Sequence, residues 1–424
     1  MQDDRWLYAL TLSAIAAGVT GVLVPLYLVS LGAGAAVLGL AAALSSIVGA
    51  PAAVLAGRHA DHSDTPRRIV LGGFALAAVA AVLFPVVASV PVVVALNAVL
   101  AVALAAVGPV VTTFVVSGVP DAAWDGRIAR LNTFQGYGGI GGLLLGTAWT
   151  GLVTPVTSPA TARRSLFVVA ALIAVAAIVI AARSLPAHPG TAGTTPALRP
   201  TRDATFLPGG TREYWAARGL GAGRLRAVLA NLSRSLRRYF LGGALFFVGF
   251  GAFWAPLPLY LTDVGFGTGT IFALYVVNAA ASTLTFTAAG RLSTAYDTSH
   301  LQGGALGIRG TAFLGVGVVA IAGIGAGPAL TAVPIVAGLL GVIGLTWAVI
   351  AVTGTAIVSR LAPRGHRGAV LGGYAALAGI GQSVGSLLGG GVASWSFPVA
   401  FAVAGTFVAA GGLVVYRMDT GDAS

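Results

Sequence analysis

The sequence predicts an all-α membrane protein with twelve transmembrane helices in two pseudo-symmetric six-helix bundles. Three observations support this prediction. Only 8% of the 424 residues are charged, against roughly 25% in soluble domains. Long stretches of the chain contain no charged residue at all, and several short motifs recur at one fixed distance. The strands of an outer-membrane barrel would instead be about ten residues long with alternating polarity.

The charge-free stretches give the number and order of the spans. In the first half of the chain they are 6–57, 69–120, 131–162 and 165–182, and in the second half 239–262, 264–290, 310–359 and 368–416. A span needs about 20 apolar residues, so the four longest stretches each hold two helices joined by a hairpin. The total is six spans in each half. This division places Arg309 in the connection before span nine.

Repeated motifs divide the chain into two halves. Pro25-Leu26-Tyr27-Leu28 recurs as Pro258-Leu259-Tyr260-Leu261, and Ala56-Gly57-Arg58 recurs as Ala289-Gly290-Arg291. The number of residues from Pro25 to Pro258 equals the number from Ala56 to Ala289. We call this constant separation between equivalent residues of the two halves the repeat shift. A six-plus-six repeat is typical of transporters with a substrate site between the halves. We therefore predict an N-terminal half at 1–183, a cytoplasmic linker at 184–238 and a C-terminal half at 239–424.

The end of the predicted linker has a distinct pattern. It combines leucines on one helical face with arginines around them. This pattern predicts a basic amphipathic helix lying on membrane lipid.

The arginines predict the orientation. The chain has no lysine, and with a cytoplasmic N-terminus every arginine except Arg163 and Arg164 falls on the inner side. Short cytoplasmic loops retain positive charge, so we expect a multi-pass protein of the cell (plasma) membrane with both termini in the cytoplasm. The net charge of +12 is distributed between apolar blocks and does not form one patch. Nucleic acid is therefore not an expected partner.

A family resemblance becomes specific after span two. The segment from Gly57 to Arg68, with Asp61 and Arg67, resembles the Gly-x-Leu-Ala-Asp-Arg-x-Gly-Arg-Arg loop of the major facilitator superfamily. The second half keeps Gly290 and Arg291 of this motif. The resemblance implies a gating loop made of Gly57, Asp61, Arg67, Arg68, Gly290 and Arg291. In it, Asp61 would meet a helix N-terminus or an arginine of the other half and hold the inner side shut. The alternative is a solvated loop that only fixes topology.

Glycines in span five bear on the direction of transport. Gly138, Gly142 and Gly146 follow one another at four-residue spacing. In the family, a glycine-rich fifth span with a Gly-Pro pair marks the drug-exporter-like branch, although Thr147 stands here where that branch has proline. The resemblance therefore favours export. The alternative use of these glycines is close packing of helix backbones.

The resemblance also implies a substrate path between spans one, four, seven and ten. Residues expected in it are Ser45, Asn97, Phe250, Trp254, Asn278, Trp347 and Gln382. An aromatic face with isolated amides suits a small, neutral or moderately apolar organic molecule. For the aromatic residues the alternative is ordinary packing or contact with lipid.

The predicted function is secondary transport of such a molecule by alternating access. The chain has no cysteine, its histidines fall in predicted loops, and no glycine-rich nucleotide loop with its lysine occurs, so we expect neither an enzyme nor a metal or cofactor. Expected partners are the small-molecule substrate and membrane lipid, with protons as a candidate coupling ion and a monomer as the oligomeric state. An importer or uniporter of a neutral nutrient and a non-transporting membrane receptor or scaffold are the alternatives.

Acidic residues at the helix mouths are the candidates for proton coupling. The predicted spans contain no Asp, Glu, His or Lys at mid-depth, which leaves Asp61 at the inner mouth of span two and Asp263 at the outer mouth of span seven. A carboxylate can carry a proton in a membrane only where burial shifts its pKa towards the working pH. Transport is therefore predicted to be either facilitated diffusion or coupled through one of these two residues.

Overall fold

The computed structural model describes residues 5–62, 65–116, 124–186, 233–321, 329–363 and 367–418. These residues form long helices with short connections. Spans one to six are Trp6–Ser30, Ala35–His62, Pro66–Leu83, Val90–Val116, Trp124–Val153 and Pro159–Ser184. Span seven is Arg234–Trp254 followed by Leu257–Asp263, and spans eight to twelve are Thr268–Ala295, Thr298–Ile321, Ala329–Leu361, Arg367–Ala393 and Phe397–Tyr416.

The lengths and compositions of these helices confirm an all-α membrane protein. Within the described residues, 11 helical segments are long and apolar enough to cross a membrane. Span nine, Thr298–Ile321, is not among them, but its 24 residues extend about 36 Å at 1.5 Å per residue. That length also suffices to cross the hydrocarbon layer.

Local sequence explains where several helices begin and end. The Ser158 hydroxyl accepts a hydrogen bond from the Thr161 N–H at the start of span six, and the Ser233 hydroxyl accepts one from the Leu236 N–H at the start of span seven. Such side chains satisfy amides that have no partner within the helix. Pro256 has no N–H to donate to the preceding turn, and the helix of span seven is interrupted beside it.

The repeat seen in the sequence is also a repeat in backbone geometry. Spans one and seven both end in a glycine with positive φ, which is 85° at Gly32 and 93° at Gly265. In each turn the N–H of the following residue, Ala33 or Phe266, bonds to the carbonyl five residues earlier. The two turns are related by the repeat shift. A side chain would strain this backbone conformation, so glycine is required at both positions.

The helices of the two halves pack in the same pattern. Span one packs against spans five and six, span two against span four, and span three against spans four and six. In the second half, span seven packs against spans eleven and twelve, span eight against span ten, and span nine against spans ten and twelve. The glycines of span five are part of this packing, since a Cβ on Gly138 would clash with Thr11 and Ala14 of span one.

The position of span nine differs from the sequence prediction. The stretch 310–359 was expected to hold spans nine and ten, with Arg309 in a connection, but span nine begins at Thr298 and only 296–297 connect it to span eight. Arg309 therefore lies in the middle of a span. The prediction was wrong at this point because it used every charged residue as a marker of a loop.

The boundaries of the predicted linker differ in part from the helices. Span six ends at Ser184 and span seven begins at Arg234. Residues 234–238 of the predicted linker therefore form the first turn of a span. Residues 187–232, which include most of the predicted amphipathic helix, lie outside the described part of the chain.

Among the described residues, the close contacts between the two halves that involve glycines lie near one end of the molecule. We call this the hairpin end, defined by the connections 31–34, 87–89, 157–158, 264–267 and 394–396, and the opposite end the termini end. Span two packs against span eleven, span five against span eight, and span one against Leu257–Asp263. The close contacts between spans two and eleven involve Gly39 and Gly390, which lie near the hairpin end.

Candidate functional site

A buried arginine surrounded by aromatic rings lies in the C-terminal half. We call Arg309, Phe250, Phe313 and Trp347 the arginine cluster. The guanidinium carbon of Arg309 is 4.4 Å from the centre of the Phe250 ring, 5.5 Å from that of Phe313 and 5.6 Å from that of Trp347. These residues come from spans seven, nine and ten, so the cluster joins three helices.

Only some of the hydrogen-bond donors of the Arg309 guanidinium have partners. Its side chain is 2% exposed. Its Nη1 donates to the carbonyl oxygen of Ile343 at 2.9 Å, whereas its Nε is buried without a hydrogen-bond partner. Among the described side chains, no carboxylate lies within ion-pair distance of it; the carboxylates of Asp263 and Asp297 lie at the end of span seven and directly before span nine. The arginine is thus a cation near the centre of a span without an anionic partner in the described residues.

Burying this cation in the membrane is expensive. An arginine at the centre of a transmembrane helix costs about 2.5–3.5 kcal/mol on insertion scales. A hydrogen bond from a charged donor contributes roughly 1.5–3 kcal/mol, and a desolvated cation–π contact about 2 kcal/mol. The Ile343 carbonyl and the Phe250 ring therefore approximately offset the cost. Neither contact uses the Nε donor.

Phe250 and Trp254, the two residues of span seven in the expected substrate path, lie in different environments. Phe250 belongs to the arginine cluster, and its ring meets that of Trp347 edge to face at 6.1 Å. Trp254 lies one turn nearer the hairpin end and packs against Tyr275 of span eight, with ring centres 5.6 Å apart. Trp254 and Trp347 are both partly buried.

The polar residues of the expected substrate path bond within their own half. The Asn97 amide of span four donates to the Ser45 hydroxyl of span two at 2.8 Å. In the second half, the Asn278 amide of span eight donates to the Leu340 carbonyl of span ten at 2.9 Å. Asn278 and Ser45 are related by the repeat shift, so both bonds join equivalent pairs of helices. Gln382 of span eleven is partly buried, and its backbone packs closely against Gly251.

The expected gating segment is more helical than the sequence suggested. Span two continues to His62 and span three begins at Pro66, so Gly57 and Asp61 lie on a helix and only 63–65 connect the two spans. The side chain of Asp61 is outside the described part of the structure. Gly290 and Arg291 likewise belong to the helix of span eight, near its end.

The basic residues of this segment have different surroundings. Nη2 of Arg67 donates to the carbonyl of Ala182 in the last turn of span six, which ties two helices of the same half together. A cation at this position is favourable because helix C-termini carry partial negative charge. Arg68 and Arg291 are exposed. Asp263, the last residue of Leu257–Asp263, is exposed at the hairpin end, at the mouth of span seven as expected.

Sequence reasoning missed the arginine cluster, although a signal for it was present. By the repeat shift, Arg309 is the equivalent of Leu76 in the first half. Leu76 lies inside span three and not in a connection. Following the shift, and not the charges, would have placed Arg309 in a span.

Comparisons with known proteins identify the family. The sequence model of the Major Facilitator Superfamily matches residues 7–343. The chain has no significant match among curated proteins.

Solved structures show the same fold. The structure of the nucleoside transporter NupG is 11% identical with a TM-score of 0.72, and the match covers 98% of this chain and 100% of that one. A POT family transporter in complex with a thioalcohol-conjugated peptide is 12% identical with a TM-score of 0.71, over 97% of this chain and 94% of that one. The human organic anion transporter MFSD10 (TETRAN) is 16% identical with a TM-score of 0.58, and the match covers 97% of this chain and 98% of that one.

The match of the family model runs from span one into span ten, and the helices continue the same architecture to span twelve. This chain belongs to the Major Facilitator Superfamily and is a multi-pass secondary transporter, not an enzyme.

Proposed function

We propose that this protein moves a small, moderately apolar organic molecule across the cell membrane by alternating access, with export as the direction. The observation that supports this proposal is the position of the contacts between the halves. In the part of the chain that the structure describes, the close glycine contacts lie near the hairpin end, while the aromatic residues Phe250 and Trp347 lie deeper in the C-terminal half. In the proposed cycle this arrangement is a state closed at the hairpin end, and opening there would complete the cycle.

The contacts between the halves are suited to separation because they involve small residues. A Cβ on Gly390 would lie 2.6 Å from the Ala35 carbonyl oxygen and 2.8 Å from the Gly39 Cα. On the other side of the interface, a Cβ on Gly269 would lie 2.9 Å from the Thr150 hydroxyl. Helices that meet through such residues can part without breaking many hydrogen bonds.

The direction and the branch rest on the resemblance to drug exporters. Gly138 and Gly142 of span five pack against span one, whereas Gly146 packs against the Phe272 ring of span eight, across the interface between the halves. The same glycine series therefore serves packing within a half and contact between halves. A location in the plasma membrane with both termini in the cytoplasm is part of the proposal and is supported by the distribution of arginines.

A reversible cross-link tests alternating access. The chain has no native cysteine, so Thr150→Cys with Gly269→Cys introduces a single pair across the interface at a spacing suited to a disulfide. We expect oxidation to abolish transport and a reductant to restore it. A matched pair within one half, Gly315→Cys with Leu339→Cys, should have little effect; there a Cβ on Gly315 would lie 3.8 Å from the Leu339 Cγ. Full transport by the oxidised Thr150–Gly269 pair would contradict the proposal.

A vesicle assay tests substrate and direction. Right-side-out and inside-out vesicles would be incubated with an externally added labelled nucleoside, dipeptide, organic anion or lipophilic aromatic compound. The first three represent the classes named for the structural neighbours. Accumulation in inside-out vesicles supports export. Accumulation only in right-side-out vesicles indicates an importer. Equilibration without accumulation indicates a uniporter. The absence of flux for every compound indicates a receptor or scaffold.

A further inference from the structure

We propose that the arginine cluster recognises an anion, so that the transported molecule has a carboxylate or similar negative group attached to an aromatic or apolar body. This inference rests on the proposed transport function and narrows its substrate class. It concerns Arg309 together with Phe250 and Trp347, the two aromatic residues from spans seven and ten.

The first argument is the permanent charge of Arg309. A guanidinium stays protonated in proteins, so this residue cannot become neutral inside the membrane as a lysine or histidine could. Its side chain is 2% exposed near the middle of span nine, and no carboxylate of the described residues lies within ion-pair distance. In a medium of low dielectric constant an uncompensated charge acts over a longer distance than in water. An anion entering the centre of the protein is therefore attracted to this place.

The second argument is the donor that remains available. Nη1 bonds to the Ile343 carbonyl, while Nε is buried and has no partner. A carboxylate has two oxygens that can accept hydrogen bonds from neighbouring nitrogens of a guanidinium. The cluster thus offers both charge and an unused donor, which a neutral substrate would satisfy less well.

The third argument is the aromatic cover. The Phe250 ring lies against the guanidinium at 4.4 Å, and the Trp347 ring meets Phe250 edge to face at 6.1 Å. Phe250 is 3% exposed and Trp347 is partly exposed. Rotation of these two side chains would open a way to Arg309. Their faces would then bind the apolar body of the anion, because aromatic rings favour stacked or edge-to-face contacts.

The N-terminal half shows that the fold does not require an arginine here. The repeat shift pairs Phe250 with Ala17, so the same region of the first half lies between spans one, three and four. There, Ala17, Ala77 and Leu104 line a small crevice, and no described residue of it is charged. Small apolar side chains therefore suffice for packing around Ala17, and Leu76, the repeat-shift equivalent of Arg309, is 39% exposed and does not line this crevice. Arg309 adds charge to only one of the two halves, which is expected of a recognition element and not of a packing element.

Ligand-dependent thermal stability of the purified full-length protein tests the inference. The probes are 2-naphthoate and its neutral counterpart 2-naphthamide, titrated against the wild type, Arg309→Gln and the exposed-arginine control Arg360→Gln. We expect naphthoate to raise the Tm of the wild type and of Arg360→Gln, and naphthamide to do so only weakly. Arg309→Gln should bind naphthoate at least about tenfold more weakly, as expected from the loss of a charge-assisted contact. Arg309→Lys should keep the preference for the carboxylate, because a carboxylate beside the ammonium group favours its charged form; this variant replaces Arg309→Gln if that variant does not fold, and loss of the preference in it would then count against the inference.

Several outcomes would overturn the inference. The first is equal affinity of the wild type for naphthoate and naphthamide. The second is unchanged naphthoate affinity of Arg309→Gln. This second outcome overturns the inference even if the Tm of the ligand-free variant is lower than that of the wild type. Flux measurements separate this inference from the proposed function. Transport of neutral compounds that does not depend on Arg309 would overturn the anion site and leave transport intact. Naphthoate binding that depends on Arg309, without flux of any compound, would support the anion site and contradict transport.

Discussion

A side chain at Gly390 should open the hairpin end. In the structure, a Cβ there would lie 2.6 Å from the Ala35 carbonyl oxygen and 2.8 Å from the Gly39 Cα. Both are backbone atoms and cannot rotate away. Ordinary contacts between heavy atoms are about 3.5 Å, so even alanine would require spans two and eleven to separate by about 0.9 Å at the Ala35 carbonyl oxygen. Leucine adds three further carbon atoms to the same space.

The magnitude follows from the cost of overpacking. Inserting extra methylene groups into a well-packed interface costs about 1–3 kcal/mol. In the proposed transport cycle only the state closed at the hairpin end contains this contact, so the cost should shift the population towards the open state by roughly 5- to 150-fold. The neighbouring Gly391 has no atom within 4 Å of its potential Cβ. Gly391→Leu is therefore a matched control on the same helix.

The assay measures a distance on the other side of the interface. Spin labels on Thr157→Cys and Gly267→Cys, both at exposed positions of the hairpin end, report the separation of the halves by pulsed electron paramagnetic resonance. We expect Gly390→Leu to shift the distance distribution to longer values by several ångströms, and Gly391→Leu to leave it at the wild-type value. Identical distributions in the two variants would refute the reasoning, because the halves would then not move as bodies held by this contact.

Three further predictions concern orientation, gating and coupling. A single cysteine at Gly34 should react with an impermeant thiol reagent added outside intact cells and one at Thr65 should not, and the reverse pattern would invert the proposed orientation. Asp61→Asn should lower the transport rate about fivefold at normal expression, because it removes a contact of about 1 kcal/mol between the carboxylate and a helix dipole. Wild-type turnover of this variant would leave Asp61 only a role in fixing topology. If protons drive transport, accumulation in a pH gradient should fall in Asp263→Asn or Asp61→Asn, and its survival in the double variant would indicate another titrating site.

The number of helices and their division into two similar halves could be predicted because they depend on properties that one sequence records directly. Apolar length determines whether a helix can cross the membrane, and the repeated motifs predict that both halves share one design. The positive φ angles of Gly32 and Gly265 are related by the same repeat shift. Helix ends were harder to predict, since the helix of span two passes through Arg58 and His59 to His62. Charged residues are tolerated in the last turns of a span, where long side chains can reach water.

The candidate site was harder to predict because its chemistry depends on partners from different helices. The sequence identified Asn97 and Asn278 as unusual amides in apolar spans, but it could not show that their donors are already bonded to Ser45 and to the Leu340 carbonyl. It identified Phe250 and Trp347 as aromatic residues of the expected substrate path, but not the cation that they contact. Arg309 was assigned to a loop because a charge inside a span is costly, and that cost is reduced only by contacts visible in three dimensions.

The polar groups of the spans themselves make Arg309 the best candidate for recognition. Many hydroxyls in the helices bond to the carbonyl four residues earlier, as do those of Thr20, Thr150 and Ser383. Such bonds satisfy the hydroxyl within its own helix and leave little capacity for a ligand. The other buried side-chain atoms without partners in the described residues lie in the first third of their helices, close to the membrane surface; they belong to Arg67, Asn132, Arg163, Thr298 and Ser299. Among the described residues, only Arg309 combines a position in the middle of a span, a positive charge and a donor, Nε, without a hydrogen-bond partner. Substitution of Arg309 should therefore change the class of substrate more than substitution of any other described residue.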